Sequence, residues 1–337
     1  LKKKFMMNLT IILAFMFLMI GCSTNNKQAE PPKEKAKPMN IQVMLDWVPN
    51  TNHTGLYVAK EKEWYQEQGL NVEIVQPSDG GGAAQMVAAG KAQFGISAQE
   101  EVTNARAQQI PIVSIAAIIQ HNTSGFASPK EKNITTPKDF EGKNYGGWGA
   151  ESEKAVIQSV MEKYNADFNK VKFLTVGDAD FFTITKRDVD FEWIYYGWTG
   201  IDAELRKFPI NYIELRQIAP ELDYYTPVII TNETYIKEHP DIIKKFMEAT
   251  SKGYEFAISN PEEAANILLK EVPGMNAELV KASQKWLSKK YQEDAPQWGI
   301  QKPEVWSNYA KWMADHKLIP SMIDVNKAFT NDFLPKK

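Results

Sequence analysis

The stretch Phe191-Glu192-Trp193-Ile194-Tyr195-Tyr196-Gly197-Trp198 sets five aromatic side chains around one carboxylate. Such rings suit a flat heteroaromatic ligand, each stacking contact adding roughly 0.5 to 1.5 kcal/mol beyond area burial. Glu192 has the chemistry to accept hydrogen bonds from an exocyclic amine. Core packing accounts for Phe191 and Trp193, but Tyr195, Tyr196 and Trp198 together exceed what a core strand needs. Tyr224 and Tyr225 add further aromatic surface. A second constellation, Asp46-Trp47-Val48-Pro49-Asn50-Thr51-Asn52-His53-Thr54-Gly55, joins a carboxylate to an indole at the entrance of a helix. Asn52 fits a helix cap and a ligand contact equally well. His53 has no adjacent base or nucleophile, and reads as a helix-start residue able to donate a hydrogen bond to a ligand. In Ser97-Ala98-Gln99-Glu100-Glu101, Gln99 is a modest ligand candidate, while Glu100 and Glu101 read as an acidic helix start. In Tyr145-Gly146-Gly147-Trp148-Gly149 the glycines allow close backbone approach, and Gly147 and Trp148 form a ligand cradle as readily as a plain strand-to-helix turn. Gly80-Gly81-Gly82 has the same ambiguity and lacks the Lys-Ser/Thr of a nucleotide loop.

Groups for covalent or metal chemistry are sparse. The four histidines, His53, His121, His239 and His316, have no metalloprotease-like spacing, no GxSxG elbow occurs, and Cys22 is the only cysteine. Neither a catalytic set, a metal nor a cofactor is expected. Trp286, Trp298, Trp306 and Trp312 fall in helical C-terminal sequence and read as packing.

The elements that must position these residues alternate between two periods. Ile41, Val43 and Leu45 share one face of a strand, Gly55 to Gln68 reads as a helix stopped at Gly69, and Leu70, Val72 and Ile74 alternate again. A helix at Ala83 to Ala89, a strand at Phe94 to Ile96, a helix near Glu100 to Gln108 and the apolar strand Ile112 to Ile119 follow. This alternation predicts a parallel-rich α/β sheet with helices on both faces. Turn-rich sequence from His121 to Gly125 and a proline-containing loop up to Pro137 separate a second α/β run. Its strands fall at Asn144-Tyr145, Val171 to Leu174, Val189 to Ile194 and Ile210 to Leu215. Val228 to Thr231 gives one more strand before a helical C-terminal part, where Asn260, Pro261, Glu262 and Glu263 mark a helix start. Ligands of open α/β sheets bind beyond the carboxyl ends of strands, where all of the loops above lie.

Lys2, Lys3 and Lys4 precede an apolar run from Phe5 to Ile20, which reads as a secretion signal. Gly21-Cys22 closes that run in a pattern that resembles the bacterial lipobox, with Met19 in place of the commoner Leu. The expectation is a signal peptide over 1–21, lipidation of Cys22 and a polar tether over 22–39. About 300 residues remain, enough for two lobes: 40–125 as the first part of lobe one, 126–224 as lobe two, and 225–337 as the return to lobe one. With 39 basic and 42 acidic residues the net charge is −3, and loss of the three lysines takes it to −6. That balance argues against nucleic acid.

The segments Asp46-Trp47, Asn52-His53-Thr54-Gly55-Leu56-Tyr57, Trp64-Tyr65 and Gly69-Leu70 resemble the thiamine-pyrimidine-precursor family. So do Gly95-Ile96-Ser97, Gln99-Glu100, Gly146-Gly147-Trp148 and Trp193-Ile194-Tyr195-Tyr196-Gly197-Trp198. The resemblance runs from about Ile41 over the whole body, and its two aromatic motifs point to the pyrimidine branch rather than to nitrate or sulfonate binders. It implies a type II periplasmic-binding-protein fold, two α/β lobes joined by a hinge and closing on a ligand in the cleft between them. It further implies a monomeric lipoprotein on the extracytoplasmic face of the cell membrane. Its ligand would be N-formyl-4-amino-5-aminomethyl-2-methylpyrimidine, a thiamine-salvage compound, delivered to the permease and ATPase of an ABC importer. Asp46, Trp47, Asn52, His53, Gln99, Gly147, Trp148, Glu192, Trp193, Tyr195, Tyr196, Trp198 and Tyr225 would form the binding set. Eukaryotic synthases that the resemblance brings in use an iron-binding cysteine-rich motif, which has no counterpart here. A pyrimidine-precursor synthase or hydrolase, and a lipid-anchored sensor subunit, are the competing expectations.

Overall fold

The computed structural model describes residues 37–77, 82–177 and 179–336. The signal, Cys22 and nearly all of the tether lie outside the described residues, as do Gly80 and Gly81. Met39, at the end of the expected tether, already belongs to a strand.

Ten strands build two five-stranded sheets. The first contains β1 (Met39–Met44), β2 (Leu70–Val75), β3 (Phe94–Ser97), β4 (Ile112–Ala117) and β10 (Val228–Asn232), in the order β2-β1-β3-β10-β4. The second contains β5 (Ser124–Pro129), β6 (Asn144–Gly147), β7 (Lys172–Thr175), β8 (Phe191–Tyr195) and β9 (Ile210–Glu214), in the order β7-β6-β8-β5-β9. β1 runs parallel to β2 and β3, and β6 parallel to β7 and β8. The antiparallel members are β10, between β3 and β4, and β5, between β8 and β9. Both are the strands by which the chain enters one sheet from the other. Such a strand starts at the edge where the parallel strands end, so it must run back against them. This is the type II solute-binding fold, two α/β lobes with two crossings between them.

The strand β5 corrects the expectation of a turn and loop from His121 to Pro137. All six of its residues are buried, in a strand made mostly of small side chains. A Cβ on Gly125 would lie 2.3 Å from the Ile213 carbonyl oxygen, so a larger side chain there would disrupt the β5–β9 pairing. Small residues of low strand propensity hide a strand from a pattern search. The expected helix from Gly55 to Gln68 is two, Thr54–Glu61 and Trp64–Glu67, broken where Glu63 takes φ 59°.

The first sheet buries one face against Leu56, Phe246, Tyr254 and Trp298 and the other against Val87, Val102 and Trp306. The second packs Phe126, Tyr145, Phe191 and Trp193 against Val156 and Val160 of the helix Glu151–Glu162. The helix Pro303–Asp315 serves both: Trp306 joins the first sheet's core, whereas Tyr309, Trp312 and Met313 join the second's. Tyr309 stacks on Tyr224 with ring centroids 4.1 Å apart, and the Trp312 indole donates to Ser159 Oγ at 3.1 Å. Among the described residues no helix is long and apolar enough to cross a membrane.

Candidate functional site

A cleft of about 650 Å³ opens where the loops after β1 and β8 meet the two crossings. From the β1 side come Asp46, Trp47, Asn50, Thr51 and Asn52; from the second sheet come Trp148, Asp180 to Phe182, Glu192 to Tyr195, and Gly197 to Thr199; Thr123, Thr226 and Pro227 line it from the crossings. Its described lining includes the carboxylates Asp46, Asp180, Glu192 and Asp202 and no Lys, Arg or His. Trp47, Trp148 and Tyr195 keep 44 %, 46 % and 40 % of their surface exposed, although core packing is open to large rings. These are faces left for something else to cover.

The β1 loop is held from beneath. His53 is fully buried; its Nδ1 accepts from the Asn50 backbone N–H at 3.1 Å, so its Nε2 carries the proton and donates to Asp46 Oδ1 at 2.7 Å. His53 therefore does not line the cleft but fixes the carboxylate that does. The cap expected of Asn52 belongs to Asn50, whose side chain accepts from the Asn52 N–H at 2.9 Å. Asn52 faces the cleft, and its carbonyl accepts from the Tyr254 hydroxyl at 2.7 Å.

The β6 loop is arranged the other way. Glu153, 2 % exposed, receives hydrogen bonds from the N–H groups of Trp148 (3.1 Å), Gly149 (2.7 Å) and Ala150 (2.7 Å) and from the Tyr145 hydroxyl (2.6 Å). The donors read from sequence as a cradle are satisfied by the protein's own carboxylate. Gly147 is small for this reason: a Cβ there would sit 2.1 Å from Glu153 Oε1. Gly147 thus supports the turn and is absent from the lining, while Trp148 projects into it, 5.5 Å from Trp193 between ring centroids.

Glu192 and Trp193 follow one another on β8. Burial, and then the nearby Asp180 and Glu153, push the Glu192 carboxyl up to about 8. It is a neutral acid at pH 7 and can donate as well as accept. Its Oε2 and the Trp193 indole N–H are buried without a hydrogen-bond partner in the protein, an arrangement that favours a polar ligand.

Three further expected residues point elsewhere. Gln99 is fully buried; its amide accepts from the Tyr225 N–H at 2.9 Å and donates to the Val305 carbonyl at 3.2 Å. Tyr225, 1 % exposed, accepts from the Lys302 N–H at 2.9 Å. Both tie the second crossing to the first sheet rather than line the cleft. Tyr196 lies against Tyr212 and Trp286 and donates to Glu204 at 2.5 Å. It starts a turn of π-helix, Tyr196–Gly200, which rotates it away from the cleft face that Tyr195 and Trp198 share. Asp180, Phe181, Phe182 and Asp202 were not found by sequence reading. Asp180 signals only a helix cap, with its side chain accepting from the Thr183 N–H at 2.9 Å. Among the described residues no group of three or more His, Cys, Asp or Glu is placed to hold a metal ion.

A family model described as NMT1/THI5 like matches residues 50–264, well over half of the chain. The chain belongs to this family. It is 28 % identical, over 96 % of its own length and 97 % of the relative's, to the formylaminopyrimidine-binding protein of Halalkalibacterium halodurans. It is also 22 % identical, over 88 % of its length and 92 % of the relative's, to a 4-amino-5-hydroxymethyl-2-methylpyrimidine phosphate synthase of Legionella pneumophila. Among solved structures it is similar to the periplasmic aliphatic sulphonate binding protein SsuA of Escherichia coli. There the TM-score is 0.69 and the identity 13 %, with 89 % of this chain and 94 % of the other covered. This NMT1/THI5-like chain therefore shares its fold with an aliphatic sulphonate binding protein, whereas its own cleft has an acidic described lining.

Proposed function

We propose that the chain is the solute-binding subunit of an ABC importer and that its cleft captures N-formyl-4-amino-5-aminomethyl-2-methylpyrimidine for thiamine salvage. The observation that carries this reading is the cleft's pairing of exposed indole and phenol faces with carboxyl groups, and with no cationic side chain in its described lining. A sulfonate or nitrate would find no countercharge there, and the N–H groups after β6 are already bonded to Glu153. An uncharged aminopyrimidine fits both features. Trp47, Trp148, Trp193 and Tyr195 stack on its faces. The neutral Glu192 donates to a ring nitrogen and accepts from the neighbouring amino group, while Asp46, fixed by His53, accepts from a second polar hydrogen.

In this reading 40–125 and 225–337 form one lobe and 126–224 the other, and the lobes close over the ligand before a permease and its ATPase receive it. The protein works as a monomer, held at the outer face of the cell membrane by a lipid on Cys22, a location supported by the sequence around that cysteine. Titration of tryptophan fluorescence with the formylaminopyrimidine tests the ligand. A saturable change is expected, weakened in Glu192→Ala; no saturable change, with the variant indistinguishable from wild type, rejects it. The similarity to a synthase favours one other reading, an enzyme acting on the same heterocycle. Mass analysis after incubation separates the two, since a binding protein returns its ligand unaltered.

A further inference from the structure

Trp47 and Asn52 belong to the first sheet's loop and Tyr195 and Trp198 to the second's, so a ligand held by both requires their spacing to be set. The helix Ala277–Leu287 packs against both the Thr51–His53 turn and the Tyr196–Gly200 turn. At their meeting point Ser283, fully buried, donates its hydroxyl to the Gly197 carbonyl. A serine hydroxyl has one hydrogen, and here the carbonyl takes it. The 2.6 Å contact between Ser283 Oγ and Thr51 Oγ1 must then be a donation from Thr51 to Ser283. The result is a one-way chain, Thr51 to Ser283 to Gly197, from one ligand loop to the other. Thr51 is anchored in turn by the Tyr291 hydroxyl, which donates to its carbonyl at 2.6 Å. Gly197 leaves no room for slack: a Cβ there would meet Trp286 at 3.1 Å and Leu287 at 3.2 Å.

We propose that Ser283 is a positioning residue for ligand capture, its hydroxyl setting the distance between the Thr51 and Gly197 loops while touching no ligand itself. The inference rests on the aminopyrimidine reading of the cleft for its affinity test, and on geometry alone for its conformational test.

Ser283→Ala removes the middle of the chain, taking from the Thr51 hydroxyl its acceptor and from the Gly197 carbonyl its side-chain donor. Aminopyrimidine binding is expected to weaken roughly 10-fold, chiefly through faster release, with Ser283→Thr recovering most of the loss. Thr51→Val, which leaves the bond from Ser283 to Gly197 in place, is expected to cost less. In the Ser283→Ala background Thr51→Val removes an orphaned donor, so in urea denaturation the double variant should lose no more stability than Ser283→Ala alone. Small-angle scattering of the ligand-free proteins should give Ser283→Ala a larger radius of gyration than wild type and Ser283→Thr. Losses that add in the double variant, or equal radii of gyration for all three proteins, overturn the inference. Failure of wild type to bind the aminopyrimidine, with the scattering difference present, overturns the ligand reading and leaves the role of Ser283 standing.

Discussion

The turns after β1 and β6 are built from similar parts and put them to opposite use. Each leaves a parallel strand, presents an exposed tryptophan (Trp47, Trp148) and carries a carboxylate, Asp46 ahead of the helix that starts at Thr54 and Glu153 in the first turn of the helix that starts at Glu151. In the first, a buried histidine holds Asp46 from behind and leaves it facing the cleft. In the second, Glu153 folds back and takes the N–H groups that begin the helix. One turn offers an acceptor and the other has used up its donors, which suits a ligand with amino hydrogens and disfavours an anion.

The largest effect is expected from Glu153→Ala. It strips the partner from three N–H groups and the Tyr145 hydroxyl in a buried site, and stability measured by urea denaturation should fall by about 3 kcal/mol. A loss under about 1 kcal/mol would mean that water replaces the carboxylate and that the contrast between the turns is shallow. Asp46→Ala should act mainly on ligand: aminopyrimidine affinity by calorimetry drops roughly 30-fold, while urea stability falls by only about 1 kcal/mol, the cost of leaving the buried His53 donor without its one partly exposed acceptor. Equal losses of stability in both variants would erase the distinction between an offered and a consumed carboxylate.

The pH dependence sharpens it. Glu192 holds its proton more tightly in the folded protein, at about 8, than at its ordinary value of 4.5. Its contribution to stability is complete below pH 4.5 and is lost as pH rises to about 8. Binding through the neutral acid should be level below that upper value and fall about tenfold per pH unit above it. Glu192→Gln should flatten both curves, and a curve unchanged by the substitution would remove Glu192 from the site. The smallest effect is expected from Trp148→Ala, a roughly fivefold loss of affinity from one missing stacking face, with no measurable change in stability.

Sequence alone was sufficient for much of this. Period-two runs such as Ile41, Val43 and Leu45 marked the parallel strands, because a buried sheet face must be apolar whatever surrounds it. Interleaved rings and carboxyl groups at strand ends, Asp46-Trp47 and Glu192 to Trp198 without Tyr196, fall on the cleft lining, because an ordinary core has no use for exposed rings beside carboxylates. What pattern could not reveal was pairing across long separations. Gln99 looked available until Tyr225 and Val305 met its amide. β5 looked like a loop because its small residues are chosen by the neighbours packed on them, not by strand propensity. Local composition determined which side chains could recognise a flat amine. Only the tertiary structure decided which of them remain free, since a polar group's role depends on whether folding has already given it a partner.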